Sequence, residues 1–161
     1  FMGVHGVSSS TFGLLFGLNA LGMVAVSQLN RRLLSLYSSA QILKVGYHIQ
    51  ASAGILLLVH GWTGWGGMPA LTALLFVMLA MMGFVFPNMT ALTMAPYKAE
   101  AGSASALMGT AQYAVGSTAG AVVSLAHNGT VRPMVAVMST SAIVGWLLVH
   151  RALRRQGAPA A

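Results

Sequence analysis

A single carboxylate, Glu100, and five histidines, His5, His48, His60, His127 and His150, are the candidate acids, bases and metal ligands of this sequence. Paired-carboxylate catalysis needs two acids and is excluded. A zinc or di-iron centre needs histidines clustered with Asp, Glu or Cys, and the sequence has no cysteine. Four of the histidines fall at predicted helix ends or in outer loops, where interfacial histidine is unremarkable. Only His48 falls within a predicted membrane span, where it reads as a packing residue or as a functional intramembrane group. No G-x-x-x-x-G-K-[ST] phosphate loop occurs, so nothing supports ATP-driven chemistry. The expectation is a non-enzyme with no cofactor and no metal site.

The informative side chains are uncharged polar groups inside apolar runs. Phe16, Asn19 and Met23 share one face by helical spacing, and Gln112 and Tyr113 lie near the middle of a second run. Groups at such a depth must bond to another helix or face water. Both readings stand: helix-to-helix bonding, or a solvated substrate cavity bordered by Phe16, Asn19, Met23, Gln112 and Tyr113. Gly13 and Gly17, and Gly116 and Gly120, have the small-residue spacing that lets helix backbones approach closely. Gly109 joins Ser105, Gln112 and Gly116 on one face, read as tight packing or in part as substrate lining.

The elements that position these residues follow from composition. Of 161 residues, 57% are hydrophobic and 6% charged, against about 25% charged in soluble domains. One acid and eight bases cannot build a soluble surface, so lipid is expected to cover most of the outside. The net charge of +7 does not indicate nucleic acid, because the few bases sit between apolar runs. A spanning helix needs roughly 17–25 apolar residues. Five runs meet or approach that, over residues 12–29, 45–62, 69–94, 102–126 and 133–149, giving an all-α polytopic membrane protein. Gly61 to Gly67, with Trp62 and Trp65, reads as an interfacial loop with aromatic anchors. Residues 156–161 read as a short disordered tail. The first residues do not read as a secretion signal, having no basic n-region or cleavage site, and no lipidation motif is read at either end of this sequence.

Five crossings place Arg31, Arg32, Lys44, Lys98, Arg151, Arg154 and Arg155 on one side of the membrane and Arg132 on the other. The side rich in bases is expected to be cytoplasmic. Ala161 is then inside and Phe1 outside.

Three blocks carry a resemblance. Residues Phe12 to Gly22, followed by Ser27-Gln28-Leu29-Asn30, look like the eighth helix of Bcr/CflA-type multidrug efflux transporters of the major facilitator superfamily. Phe86-Pro87-Asn88-Met89-Thr90-Ala91-Leu92 resembles the tenth helix of that family. Ala101 to Tyr113 resembles the start of its eleventh. Order and spacing agree, and the resemblance covers nearly the whole chain. It departs from the family in having no first seven helices, and Val24 to Ser27 lacks small residues seen in relatives. The resemblance implies a partial C-terminal bundle of a proton-coupled antiporter that exports drugs or small metabolites across the bacterial inner membrane by alternating access. It also implies that the proton-coupling carboxylate lies in the missing N-terminal half, since no acid falls within a predicted span here. The expected partners are the lipid bilayer, a small-molecule substrate and protons handled by that half, with no nucleic acid. An uptake carrier of the same superfamily, or a non-transporting membrane scaffold or assembly subunit of five helices, are the alternatives.

Overall fold

A computed structural model describes residues 9–156, and the expectations for Phe1, His5, Ala161 and the tail concern residues outside that range. The described residues are all-helical: α1 (Ser9–Leu33), α2 (Ser39–Thr63), α3 (Gly67–Ala80), α4 (Met82–Met94), a 3₁₀ segment η1 (Ala95–Glu100), α5 (Ala101–Leu125) and α6 (Arg132–Gln156).

Local chemistry sets several of these limits. Ser38 and Gln41 form a capping box at the start of α2. Ser38 Oγ accepts from the Gln41 amide at 3.3 Å, and Gln41 Oε1 accepts from the Ser38 amide at 2.9 Å. The helix ends where Gly64 turns left-handed, with φ +67°, a conformation open to glycine at little cost. Its amide closes onto the His60 carbonyl at 2.8 Å. The tryptophan loop continues through Gly66 and Gly67, also at positive φ, and Pro69 sits in the first turn of α3, where its missing N–H is tolerated.

The run expected over residues 69–94 is not one helix. It breaks at Met81, where Phe84 N bonds to Met81 O in a tightened i→i+3 turn at 3.0 Å, one turn and a half before Pro87. Proline removes one backbone bond and crowds the carbonyl four residues earlier, here that of Gly83, so the local helix cannot stay ideal. The helical path then passes η1, whose Tyr97 is non-helical (φ −106°, ψ 32°), into α5. By length and composition, four helical stretches are apolar enough to cross a membrane, at Gly13–Leu33, Ser39–Thr63, Gly67–Leu125 and Arg132–Arg155. The expected count of five is thus not matched by length alone, because 59 residues from Gly67 to Leu125 form one nearly continuous helical path.

α2 is the centre of the assembly. It packs along α6 on one side and against α3 and α4 on another, and α1 lies across α3 and α4. Ala53, Leu57, Leu71, Leu75, Met78, Val135 and Ala142 form the larger core, and Leu43, Val85 and Val149 a smaller one toward the other end. α5 makes its main contacts with α6, η1 and α4, and buries none of its residues.

Close helix contact uses glycines other than those with paired spacing. A Cβ on Gly83 would stand 2.6 Å from the Met23 carbonyl and 2.8 Å from the Ser27 amide, so α1 and α4 cross at backbone distance. Gly46, Gly54 and Gly61 let α2 meet Phe84 and Val85, Ser139 and Ala142, and Val135. By contrast, a Cβ on Gly13, Gly17, Gly109, Gly116 or Gly120 would meet nothing within 4 Å. The packing expected of those five is not made between elements of this chain, because α5 and the first half of α1 present those faces to open space.

Candidate substrate cavity

α1, α3 and α6 enclose a cavity of about 210 Å³ lined by Leu15, Phe16, Asn19, Thr72, Leu75, Leu79, Met134 and Met138. The lining is apolar with two polar groups. The Thr72 hydroxyl donates to Met68 O at 2.9 Å, which leaves its oxygen free to accept. The Asn19 amide has no partner among the described residues and is the one side chain here able both to donate and to accept freely. Aromatic and thioether walls with a few convergent polar groups are the usual composition of a small-molecule site. Pockets that enclose drug-sized ligands run to about 300–1,000 Å³, so this cavity is large enough for part of such a molecule.

Of the five residues expected to border a cavity, Phe16 and Asn19 come together here. Met23 lies further along α1, 44% exposed, and its carbonyl meets Gly83. Gln112 and Tyr113 sit on α5, away from this cavity, and Tyr113 is 82% exposed. Gln112 is exposed as well.

A second, more open space of about 350 Å³ lies between α2, α3, α4 and α6, with Ala119 of α5 at its border and Tyr47, Gln50, Met82, Ser141 and Gly145 on its walls. Gln50 is buried and donates to Met78 O at 3.3 Å. Ser139 donates to Gly54 O at 2.6 Å, tying α6 to α2. Asn88 donates to Asn30 Oδ1 at 2.6 Å and to Phe84 O at 2.8 Å, a buried polar clasp between α4 and α1 beside the Gly83 crossing. The single acid, Glu100, is exposed on η1. Among the described residues no three His, Cys, Asp or Glu side chains gather as a metal site.

Comparison with known proteins finds relatives along most of the chain. The chain is 27% identical over 98% of its length to the bicyclomycin resistance protein homolog of Haemophilus influenzae, covering 40% of that protein. It is 28% identical over 89% of its length to the uncharacterized MFS-type transporter YdgK of Bacillus subtilis, covering 35% of it. The chain is similar to major facilitator transporters. The resemblance seen in its sequence is thereby supported by relatives along nearly all of its length, and these are named as resistance or transport proteins, not as enzymes. The chain spans about two fifths of the length of the relatives it matches. No family model and no solved structure matches it.

Sequence reading missed most of the cavity wall. Thr72, Leu75 and Leu79 on α3 and Met134 and Met138 on α6 are ordinary residues of apolar helices, and only the packing of three helices makes them neighbours. The Asn30–Asn88 clasp was more accessible: two asparagines at the ends of apolar runs need partners. What the sequence lacks is any sign that they choose each other.

Proposed function

We propose that this chain forms helices eight to twelve of a proton-coupled antiporter of the Bcr/CflA type, exporting drugs or small metabolites across the bacterial cytoplasmic membrane by alternating access. Five crossings are assigned to α1, α2, α3 with α4, α5 and α6. A 59-residue helical path would measure about 88 Å at 1.5 Å per residue, far more than one hydrocarbon core of about 30 Å. The break at Tyr97 therefore divides two crossings. That assignment gathers seven bases, from Arg31 to Arg155, at one end of the bundle and leaves Arg132 at the other, which favours a cytoplasmic C-terminus and an outer N-terminal end.

The observation that carries the reading is the bare face of α5. A largely apolar helix of 25 residues with no buried position, bearing Gln112, Tyr113 and four glycines with free space before them, suits a surface that borders a central pathway and a second bundle. Phe16 and Asn19 supply the neighbouring wall on α1, and Met23 extends it. The incomplete cavity and the coverage of only two fifths of the relatives point the same way. The second bundle would provide the rest of the substrate enclosure and the proton-coupling carboxylate.

The test is efflux of several chemically distinct compounds by the full-length protein at matched membrane abundance. Asn19→Leu and Tyr113→Ala are expected to change export of some compounds more than others. Unchanged profiles in both would remove these residues from the substrate path. Single cysteines at Thr63 and Asn128 should react with an impermeant thiol reagent from outside, and one at Ser38 should not; the reverse pattern would overturn the orientation.

A further inference from the structure

At the base-rich end, α2 and α6 bring two rows of side chains together. Lys44 and His48 are one turn apart on α2; Trp146, His150 and Arg154 follow at successive turns on α6. Trp146 and His150 stack with ring centroids 5.7 Å apart at 22°, and His48 stands edge-on to both, at 5.6 and 6.1 Å. The rows are held from below by the smaller core of Leu43, Val85 and Val149, so their placement is fixed by packing.

This cluster is chemically incomplete. Nδ1 of His48 is taken by the Lys44 carbonyl at 2.6 Å, which leaves Nε2 facing outward. Trp146 Nε1 and His150 Nδ1 are buried with no hydrogen-bond partner among the described residues, an unfavourable state for a polar group. Lys44 and Arg154 stand close enough to His150 for their charges to act on it. The chain has one acid against eight bases, and that acid, Glu100, lies on η1. The cationic rows therefore have no counter-charge on either helix that carries them.

We propose that Lys44, His48, Trp146, His150 and Arg154 form a binding site for the headgroup of an anionic phospholipid. A phosphodiester oxygen set between the rows meets the two cations and the outer histidine nitrogen. The unmet nitrogens of Trp146 and His150 lie in the same cluster, beside that headgroup position. Lipid is favoured over a free anion because the rows stand at the end of two apolar helices, at the level where Trp, Lys and Arg anchor to headgroups, and exposed Val45, Ile49, Leu147 and Leu148 lie beside them for acyl chains. The proposal rests on the membrane reading but not on export, so a failed efflux assay leaves it standing.

The test uses the full-length protein purified in detergent, titrated with phosphatidylglycerol or phosphatidylcholine and read by native mass spectrometry. The unaltered protein should retain phosphatidylglycerol in preference to phosphatidylcholine. Lys44→Gln combined with Arg154→Gln should weaken phosphatidylglycerol retention about tenfold or more, at about 1 kcal/mol per base, with phosphatidylcholine retention unchanged. Trp146→Phe keeps an aromatic ring in the stack but removes the N–H together with the five-membered ring, and should give a smaller loss of the same selectivity, which covers the case of a poorly folded double variant. Equal retention of both lipids by the unaltered protein, or undiminished selectivity in both variants, would overturn the site. Displacement of phosphatidylglycerol by millimolar inorganic phosphate would overturn the lipid assignment and mark a soluble-anion site.

Discussion

α2 and α5 have the same length, 25 residues, and comparable apolarity, yet they live in opposite surroundings. α2 buries nine residues, among them Leu57 and Gln50, and is touched by α3, α4 and α6. α5 buries none. Their glycines divide in the same way: those of α2 meet backbone and side chains of neighbouring helices, and those of α5 meet nothing. Apolar composition says that a helix can leave water, but it does not say whether lipid, a helix of the same chain or another part of the protein will cover it. In a membrane, where lipid is as apolar as leucine, the distinction rests on close packing and on polar pairing. α2 has both within this chain, and α5 has them only if something outside it supplies them.

The contrast can be broken most easily at the tightest contact. Gly83→Val should prevent α1 and α4 from crossing, because the new Cβ would strike the backbone at Met23 and Ser27, which cannot move aside as a side chain can; overpacking of this kind costs about 3 kcal/mol or more. Membrane abundance and thermal stability of the full-length protein should both fall sharply, and a normal melting profile would show that the crossing is looser than described.

Leu57→Ala comes next. Leu57 is fully buried against the α3 and α6 side chains, and its truncation should cost about 2 kcal/mol in a thermal or denaturant assay. The same change at Leu107 on α5, 73% exposed, should cost far less. Equal losses would erase the difference between the two helices.

A smaller effect is expected at the polar clasp. Asn30→Ala and Asn88→Ala should each destabilise by about 0.6–2 kcal/mol, with a coupling between them in a double-mutant cycle. Additive losses would mean that the 2.6 Å bond contributes nothing as a pair. Smallest of all is Gly116→Ala, which has open space for its Cβ and should leave thermal stability within about 1 kcal/mol of the parent.

The sequence made the long helices legible, because runs of apolar residues and sparse bases state their length and end directly. It made the break before Pro87 only half legible: the proline was visible inside its run, but the tightened turn sits at Met81. The glycine pairs were misleading for contacts within the chain. A pair such as Gly116 and Gly120 shows that a face is flat, whereas Gly83 packs closely with no such partner, because the curvature and crossing of α1 and α4 decide where backbones meet. That Phe16 and Asn19 share a face was readable, and both line the same cavity. Met134 and Met138 were not, since their role depends on which helix α6 lies against.

The central claim is that α5 is bare in this chain because it borders the substrate path of a larger transporter, and accessibility at Tyr113 tests it most directly. A cysteine replacing Tyr113 in the full-length protein should react with a small water-soluble thiol reagent, and an exported substrate should slow that reaction, while a cysteine replacing Leu57 stays unreactive. A Tyr113 cysteine that does not react, or that reacts at a rate no substrate alters, would contradict the account and place this face of α5 in lipid.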